Sequence, residues 1–170
     1  MTAPTLSSLT PEKDLLVNGI RVNEIVKAFE SLGYQCEVNT KLKGTSGTEH
    51  PFDIVSRKDS EIVVVDIVTF RASILDTPAS DAQVLERLQM AGIQIRAKAW
   101  DCGTYQSVII YLSSYFTNSD NSVLTGKYDP FELFLKQNNI KIVRSTDVRG
   151  AAKKLRAHLA SVESDPHTTV

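Results

Sequence analysis

The sequence predicts an α/β fold in which a central mixed sheet of about five strands is covered by helices on both faces. Three observations carry this. Apolar residues recur at helical spacing in several separate stretches, and short runs rich in Val and Ile stand between them. One of those runs, Ile62-Val63-Val64-Val65-Asp66-Ile67-Val68, is apolar for almost its whole length, the pattern of a strand buried on both faces at the middle of a sheet.

Residues 1–9 are rich in Ser, Thr and Pro and are expected to be flexible, as is the tail 162–170. Between them, 10–161 is expected to fold as one domain, because 170 residues suit a single core of ordinary size. Thr10-Pro11 has the form of an N-cap followed by proline at the first helical position. Leu15, Leu16, Val22, Ile25, Val26, Phe29 and Leu32 then keep a spacing of three and four. A helix over 10–32 is therefore expected, bent or split at Gly19 and ended by a left-handed Gly33. Beyond it the period changes. Tyr34 to Val38 alternates like a half-buried strand, 41–49 reads as a loop, and 52–55 and 62–68 read as a hairpin joined through Arg57-Lys58-Asp59-Ser60.

From 81 to 100, Val84, Leu85, Leu88, Ala91, Ile95 and Ala97 mark a helix lying on the sheet, with Trp100 expected in the core at its end. A strand over 107–112, a helix from Asp129-Pro130 through Leu135 and a short strand over 140–143 follow. Ser145 or Thr146 is expected to cap a last helix over 147–161. Strands joined by a hairpin, followed by strands joined through crossover helices, make the sheet a mixed one.

The charge balance, 19 Lys and Arg against 20 Asp and Glu, excludes a global positive field, so any contact with nucleic acid must come from a local patch. Cys36 and Cys102 stand in no metal spacing and read as reduced thiols, and three scattered histidines do not complete a zinc site. The first residues lack the basic and apolar runs of a secretory signal, and no stretch has the length of a membrane span. A cytoplasmic protein is expected.

Asp53 and Asp66 are the residues that stand out. A central strand keeps a carboxylate only where a cation, hydrogen bonds or protonation offset the cost of desolvating it. A hairpin brings two such groups to one place, where they could hold a divalent cation. Magnesium or manganese suits hard oxygen ligands, and metal-bound water is a nucleophile for phosphodiester hydrolysis. The bland alternative is a pair of hydrogen-bonded strand-end carboxylates held by Arg71.

These residues also carry a resemblance. Ser31-Leu32-Gly33-Tyr34 at a helix end, a loop with Gly44 and Gly47, His50-Pro51-Phe52-Asp53-Ile54 and Val65-Asp66-Ile67-Val68 together resemble the PD-(D/E)xK, restriction-endonuclease-like superfamily. The likeness is to its archaeal Holliday-junction resolvases and Mrr-type restriction domains, and Asn139-Ile140-Lys141-Ile142-Val143 resembles the Mrr-type ending. The resemblance implies that Asp53 and Asp66 are the metal-binding acids, that Glu24 on the first helix adds a third, and that DNA is the substrate of a homodimer. It also implies a lysine two residues after Asp66, where this chain has Val68.

Valine can neither orient a water nor stabilise phosphate charge, so either catalysis is impaired or lost, or the lysine has moved. Some relatives supply the cation from the neighbouring helix. Lys98, flanked by Ala97 and Ala99, is the preferred candidate, with Arg87 the other and a solvated helix-face lysine the plain alternative. Glu49 and His50 are candidate neighbours of Asp53, and Gly44-Thr45-Ser46-Gly47 is expected to shape the approach to it. Arg149, Lys153, Lys154 and Arg156 on the last helix form a basic stripe that could contact phosphates, or be an ordinary solvated face. Two functions follow from this reading. One is a nuclease-like DNA-binding domain, if active a magnesium- or manganese-dependent endodeoxyribonuclease. The other is a non-catalytic subunit that keeps the fold and meets a protein partner.

Overall fold

In the computed structural model of the protein, residues 12–69, 81–103, 106–112 and 129–163 are described. An Asn-Gly turn opens this part of the chain. Asn18 and Gly19 both have positive φ, 48° and 79°, as a two-residue hairpin turn requires, and they join β1 (Leu16–Val17) to β2 (Ile20–Arg21). The helix expected over 10–32 is thereby corrected: two successive left-handed residues cannot belong to a right-handed helix. Helix α1 spans only Asn23–Glu30, and Thr10-Pro11 lies outside the described residues. The buried Asn23 side chain secures the preceding segment, accepting from the Leu15 N–H at 2.9 Å and donating to the Lys13 carbonyl at 3.0 Å. Gly33, at φ 90°, ends the turn after α1 as its position suggested.

Strand β3 (Gln35–Lys43) and strand β4 (Glu49–Lys58) reach further than their alternation indicated, so the expected 41–49 loop shrinks to a turn around Gly44–Thr48. Tyr34 stands outside the strand and packs edge-on against Phe29. Asp59, at φ 53°, and Ser60 close a tight turn into β5 (Glu61–Thr69). The chain continues through α2 (Asp81–Asp101), β6 (Gln106–Leu112), α3 (Asp129–Gln137), β7 (Ile140–Ser145) and α4 (Val148–Glu163). Helix α4 therefore extends into the region expected to be a loose tail. Its cap is neither Ser145 nor Thr146: the Asp147 carboxylate accepts from the Gly150 N–H at 2.7 Å.

The five-stranded sheet has the order β3-β4-β5-β6-β7, antiparallel through β5 and parallel from β5 to β7. It is the mixed α/β sheet that the sequence predicts. Alternate residues of β5 feed two cores. Val63, Val65 and Ile67 pack with α1 and α4 on one face, and Val64 and Val68 pack with α2 and α3 on the other. Gly92 of α2 faces α3, where an added Cβ would be in ordinary contact with Phe134, Phe131 and Leu135.

Candidate functional site

Asp66 lies between Val64 and Val68 in β5 and so shares their face, the one covered by α2. Asp53 stands where the ladder is interrupted. Its expected partner in β3 is Asn39, which has a φ of 52° and is left unpaired while the register is the same on either side of it, and the β4–β5 pairs end at Ile54 opposite Val65. Side chains take over where backbone pairing stops. The Ile67 N–H donates to Asp53 Oδ2 at 2.6 Å, and the Asp53 N–H makes a long bond of 3.4 Å to Asp66 Oδ1. The two acids that the sequence singled out are thus brought together.

Lys98 completes the group. Its ammonium stands 2.6 Å from Asp66 Oδ2, donates to the Pro51 carbonyl at 2.8 Å and lies 4.6 Å from the centre of the Phe52 ring. The side chains of Asp66 and Lys98 are each 21% exposed, so the pair is shielded without being sealed from water. Burial pushes the Asp53 carboxyl above the ordinary carboxylate range, and the nearby Asp66 adds to this; the Ile67 N–H and the Lys98 charge act the other way.

One helical turn further, Asp101 ties α2 to the β3–β4 connection. Its carboxylate accepts from Ser46 Oγ at 2.5 Å, the Ser46 N–H at 2.9 Å and Thr45 Oγ1 at 3.0 Å, and meets His50 Nε2 at 2.6 Å. The Thr45 N–H donates to the Asp101 carbonyl at 2.9 Å. The bonds from Ser46 and His50 hold the Asp101 carboxyl well below the usual carboxylate range. The turn can close so tightly only because residue 44 is glycine: a Cβ there would overlap the Asp101 carboxylate. Ser46 and His50 share a carboxylate and not a bond to each other, so the cluster is a fastening and not a nucleophile with its base. Lys98 and Asp101 together fix α2 to neighbouring residues of β4, Pro51 and His50.

Several expectations are corrected. His50 serves Asp101 and not Asp53, and Glu49 is exposed at the start of β4. Glu24 is exposed on α1, on the opposite layer from α2, and makes no hydrogen bond or ion pair with either aspartate among the described residues. Trp100 is 74% exposed and not in the core, because Ala99 takes the inward position beside it. Arg149, Lys153, Lys154 and Arg156 are exposed on α4, so the basic stripe lies on the layer away from the carboxylates; Lys154 donates to the Arg144 carbonyl at 2.5 Å. Arg71 lies outside the described residues. The Asp101 fastening was missed, although Gly44-Thr45-Ser46 and His50 were visible; its partner stands some fifty positions away and nothing local marks it.

Chemically, Asp53 and Asp66 offer hard oxygen donors close together in a half-buried place, where two like charges favour a cation. No group of three or more His, Cys, Asp or Glu residues with ligand geometry occurs among the described residues. The pair fits an ion such as magnesium, which binds through one or two carboxylates and otherwise keeps water or phosphate oxygens. It does not fit zinc, which needs a fuller protein shell. No helix among the described residues is long and apolar enough to cross a membrane.

No family model matches the chain, and no curated protein matches it. Among solved structures, the fold is similar to the crystal structure of a protein of unknown function, AF1548, at 12% sequence identity and a TM-score of 0.47, over 78% of this chain and 63% of that one. It is similar also to an XisH family protein from Nostoc punctiforme, at 15% identity and a TM-score of 0.42, over 76% of this chain and 93% of that one. The chain spans less than two thirds of the first of these proteins. Both likenesses concern the arrangement of sheet and helices, not chemistry.

Proposed function

We propose that this is a nuclease-like, DNA-directed domain of the PD-(D/E)xK type whose lysine is supplied by α2. The observation that carries the reading is the 2.6 Å contact between Lys98 and Asp66, beside Asp53, at the point where β4 and β5 part. Two acids and one lysine on such strands are what the sequence resemblance calls for, and Val68 is relieved of the role it cannot fill.

A magnesium or manganese ion bound by Asp53 and Asp66 would supply an activated water and a counter-charge for a phosphodiester. The chain's own residues do the rest. Lys98 has three N–H donors, two of which are engaged by Asp66 and Pro51, so among the described residues one is left to meet a phosphate oxygen. Its place beside the acids suits it to stabilise negative charge developing on a phosphate oxygen. The bond from Ile67 keeps Asp53 turned to one side, and the Asp101 fastening fixes the rotation of α2 on which the reach of Lys98 depends.

The test is manganese-dependent cleavage of branched and linear DNA by the wild type, Asp66→Asn and Lys98→Gln. Cleavage by the wild type and its loss in both variants is the expected result. Absence of cleavage together with absence of calorimetric manganese binding overturns it.

A second reading, a non-catalytic subunit that meets a protein partner, is favoured by one observation. Met90, Ile93, Ala97 and Trp100 form a stripe on the outer side of α2, and Met90, Ile93 and Trp100 are 51%, 56% and 74% exposed. A homodimer is compatible with either reading.

A further inference from the structure

Where a lysine two residues after Asp66 would stand, a cleft of about 510 Å³ opens over Val68. Val68 shares with Asp66 the face of β5 that α2 covers, one strand period further along. Across the cleft, Gln94 stands one helical turn before Lys98, and Ala91 and Arg87 continue the same flank of α2 towards its N-terminus. Cleft and carboxylate–lysine group are therefore neighbours along a single seam between β5 and α2.

The lining suits one kind of ligand. Val68 and Ala91 give an apolar floor with the half-exposed Met90 at its outer rim, and Gln83, Gln94, Arg87 and Glu86 surround it with two amides, a cation and a carboxylate. A sugar–phosphate chain seeks positive charge along its length, and here the one cation, Arg87, is offset by Glu86 in the same lining. A flat heteroaromatic ring is different. It lies on apolar surface and presents donors and acceptors at its edge, which a glutamine amide can match with one of each. The volume is in the range of about 300–1,000 Å³ usual for small-ligand sites.

We propose that this cleft receives an unpaired nucleobase beside the phosphodiester held at Asp53, Asp66 and Lys98. The substrate class is then nucleic acid with a single-stranded nucleotide at the point of attack, such as a flap, fork or frayed end. The inference rests on the nuclease reading and narrows it. A base in an intact duplex would have to leave its stack to enter, which costs least when it is already unpaired. Moving the lysine from β5 to α2 is what leaves the room, since a long side chain at residue 68 would occupy the floor.

The test separates binding from chemistry. With calcium in place of manganese, fluorescence anisotropy is measured on one oligonucleotide carrying a fluorescent aminopurine, either in an unpaired flap or within a full duplex. The flap is expected to bind about tenfold more tightly than the duplex, with aminopurine emission changing only for the flap. Ala91→Leu, which fills the floor, and Gln94→Ala, a change at an exposed position, are each expected to weaken flap binding by about tenfold while leaving duplex binding unchanged. Equal affinity for both probes, or flap binding unaltered in both variants, overturns the proposal. Manganese-dependent flap cleavage that both cleft variants retain at the wild-type level and Asp66→Asn loses would leave the nuclease reading standing without the cleft. No binding of either probe would remove both.

Discussion

Lys98 of α2 and Asp66 of β5 meet at 2.6 Å, and the same ammonium holds the carbonyl of Pro51 at 2.8 Å, so one helix side chain spans both strands that carry the acids. Each partner is about one-fifth exposed, which places the pair between a surface ion pair and a buried one. Lys98→Gln is expected to cost about 1–2 kcal/mol, more than exposed pairs are worth and less than the loss from breaking a sealed one. Urea unfolding of the single variants and of the double variant with Asp66→Asn checks this. A coupling energy indistinguishable from zero would contradict it.

Asp53 is expected to be a residue whose charge the fold tolerates at a cost. Its carboxyl is pushed up by burial and by Asp66, so the native state holds the proton more firmly than the unfolded chain. The stabilisation from this shift is complete below the unfolded value, near pH 4, and is lost as pH rises through the folded one. Asp53→Asn, which keeps an acceptor for the Ile67 N–H, should therefore be more stable than the wild type at neutral pH. The gap should close in acid. Thermal melts from pH 3 to about 8 follow it, and a variant destabilised at neutral pH would be the contrary result.

Asp101 behaves in the opposite sense. Its carboxyl is held down by Ser46 and His50, so its contribution is present above the unfolded value and disappears as pH falls through the folded one. Asp101→Asn should be less stable than the wild type at neutral pH, with the difference vanishing only in strong acid. Gly44→Ala displaces the same carboxylate sterically and should free the turn in the same way, at about 1–3 kcal/mol. Hydrogen exchange of the Gly44, Thr45 and Gly47 amides is the direct readout: both variants should lose protection there. Protection unchanged in either would show that the fastening is dispensable.

Trp100 is the chain's one tryptophan, which makes its surroundings measurable without labels. At 74% exposure it should emit as a solvated indole and be quenched readily by iodide. Trp100→Ser should change stability by no more than about 0.5 kcal/mol. A blue-shifted, protected emission in the purified protein would mean that a partner or second copy covers the α2 stripe, and would strengthen the interaction reading.

The sheet was legible because its central strand has no polar alternation, and the acids were legible because they break that apolar run or open the strand beside it. Lys98 was legible only as one of two basic candidates on the right helix, since helical periodicity tells which residues face a sheet but not how the helix is rotated against a particular strand. The N-terminal helix was misread for a physical reason. Leu15, Val22 and Ile25 fit helical spacing, yet the intervening Val17 is buried by a hairpin whose Asn18-Gly19 turn outweighs that periodicity. Trp100 was misplaced because helical periodicity does not fix the rotation of α2: Ala99 beside it is the residue turned inward, at 1% exposure.

The Asp59-Ser60 turn has a consequence for how the molecule assembles. It closes a short loop, so Asp53 and Asp66 are brought face to face by local zipping of one hairpin, whereas Lys98 arrives only when a distant helix docks. Substitutions at Ile54 and Val65 should accordingly slow refolding, and substitution of Lys98 should chiefly hasten unfolding. Before α2 docks, the paired acids have no ammonium between the strands; the helix supplies it when it settles in its correct orientation.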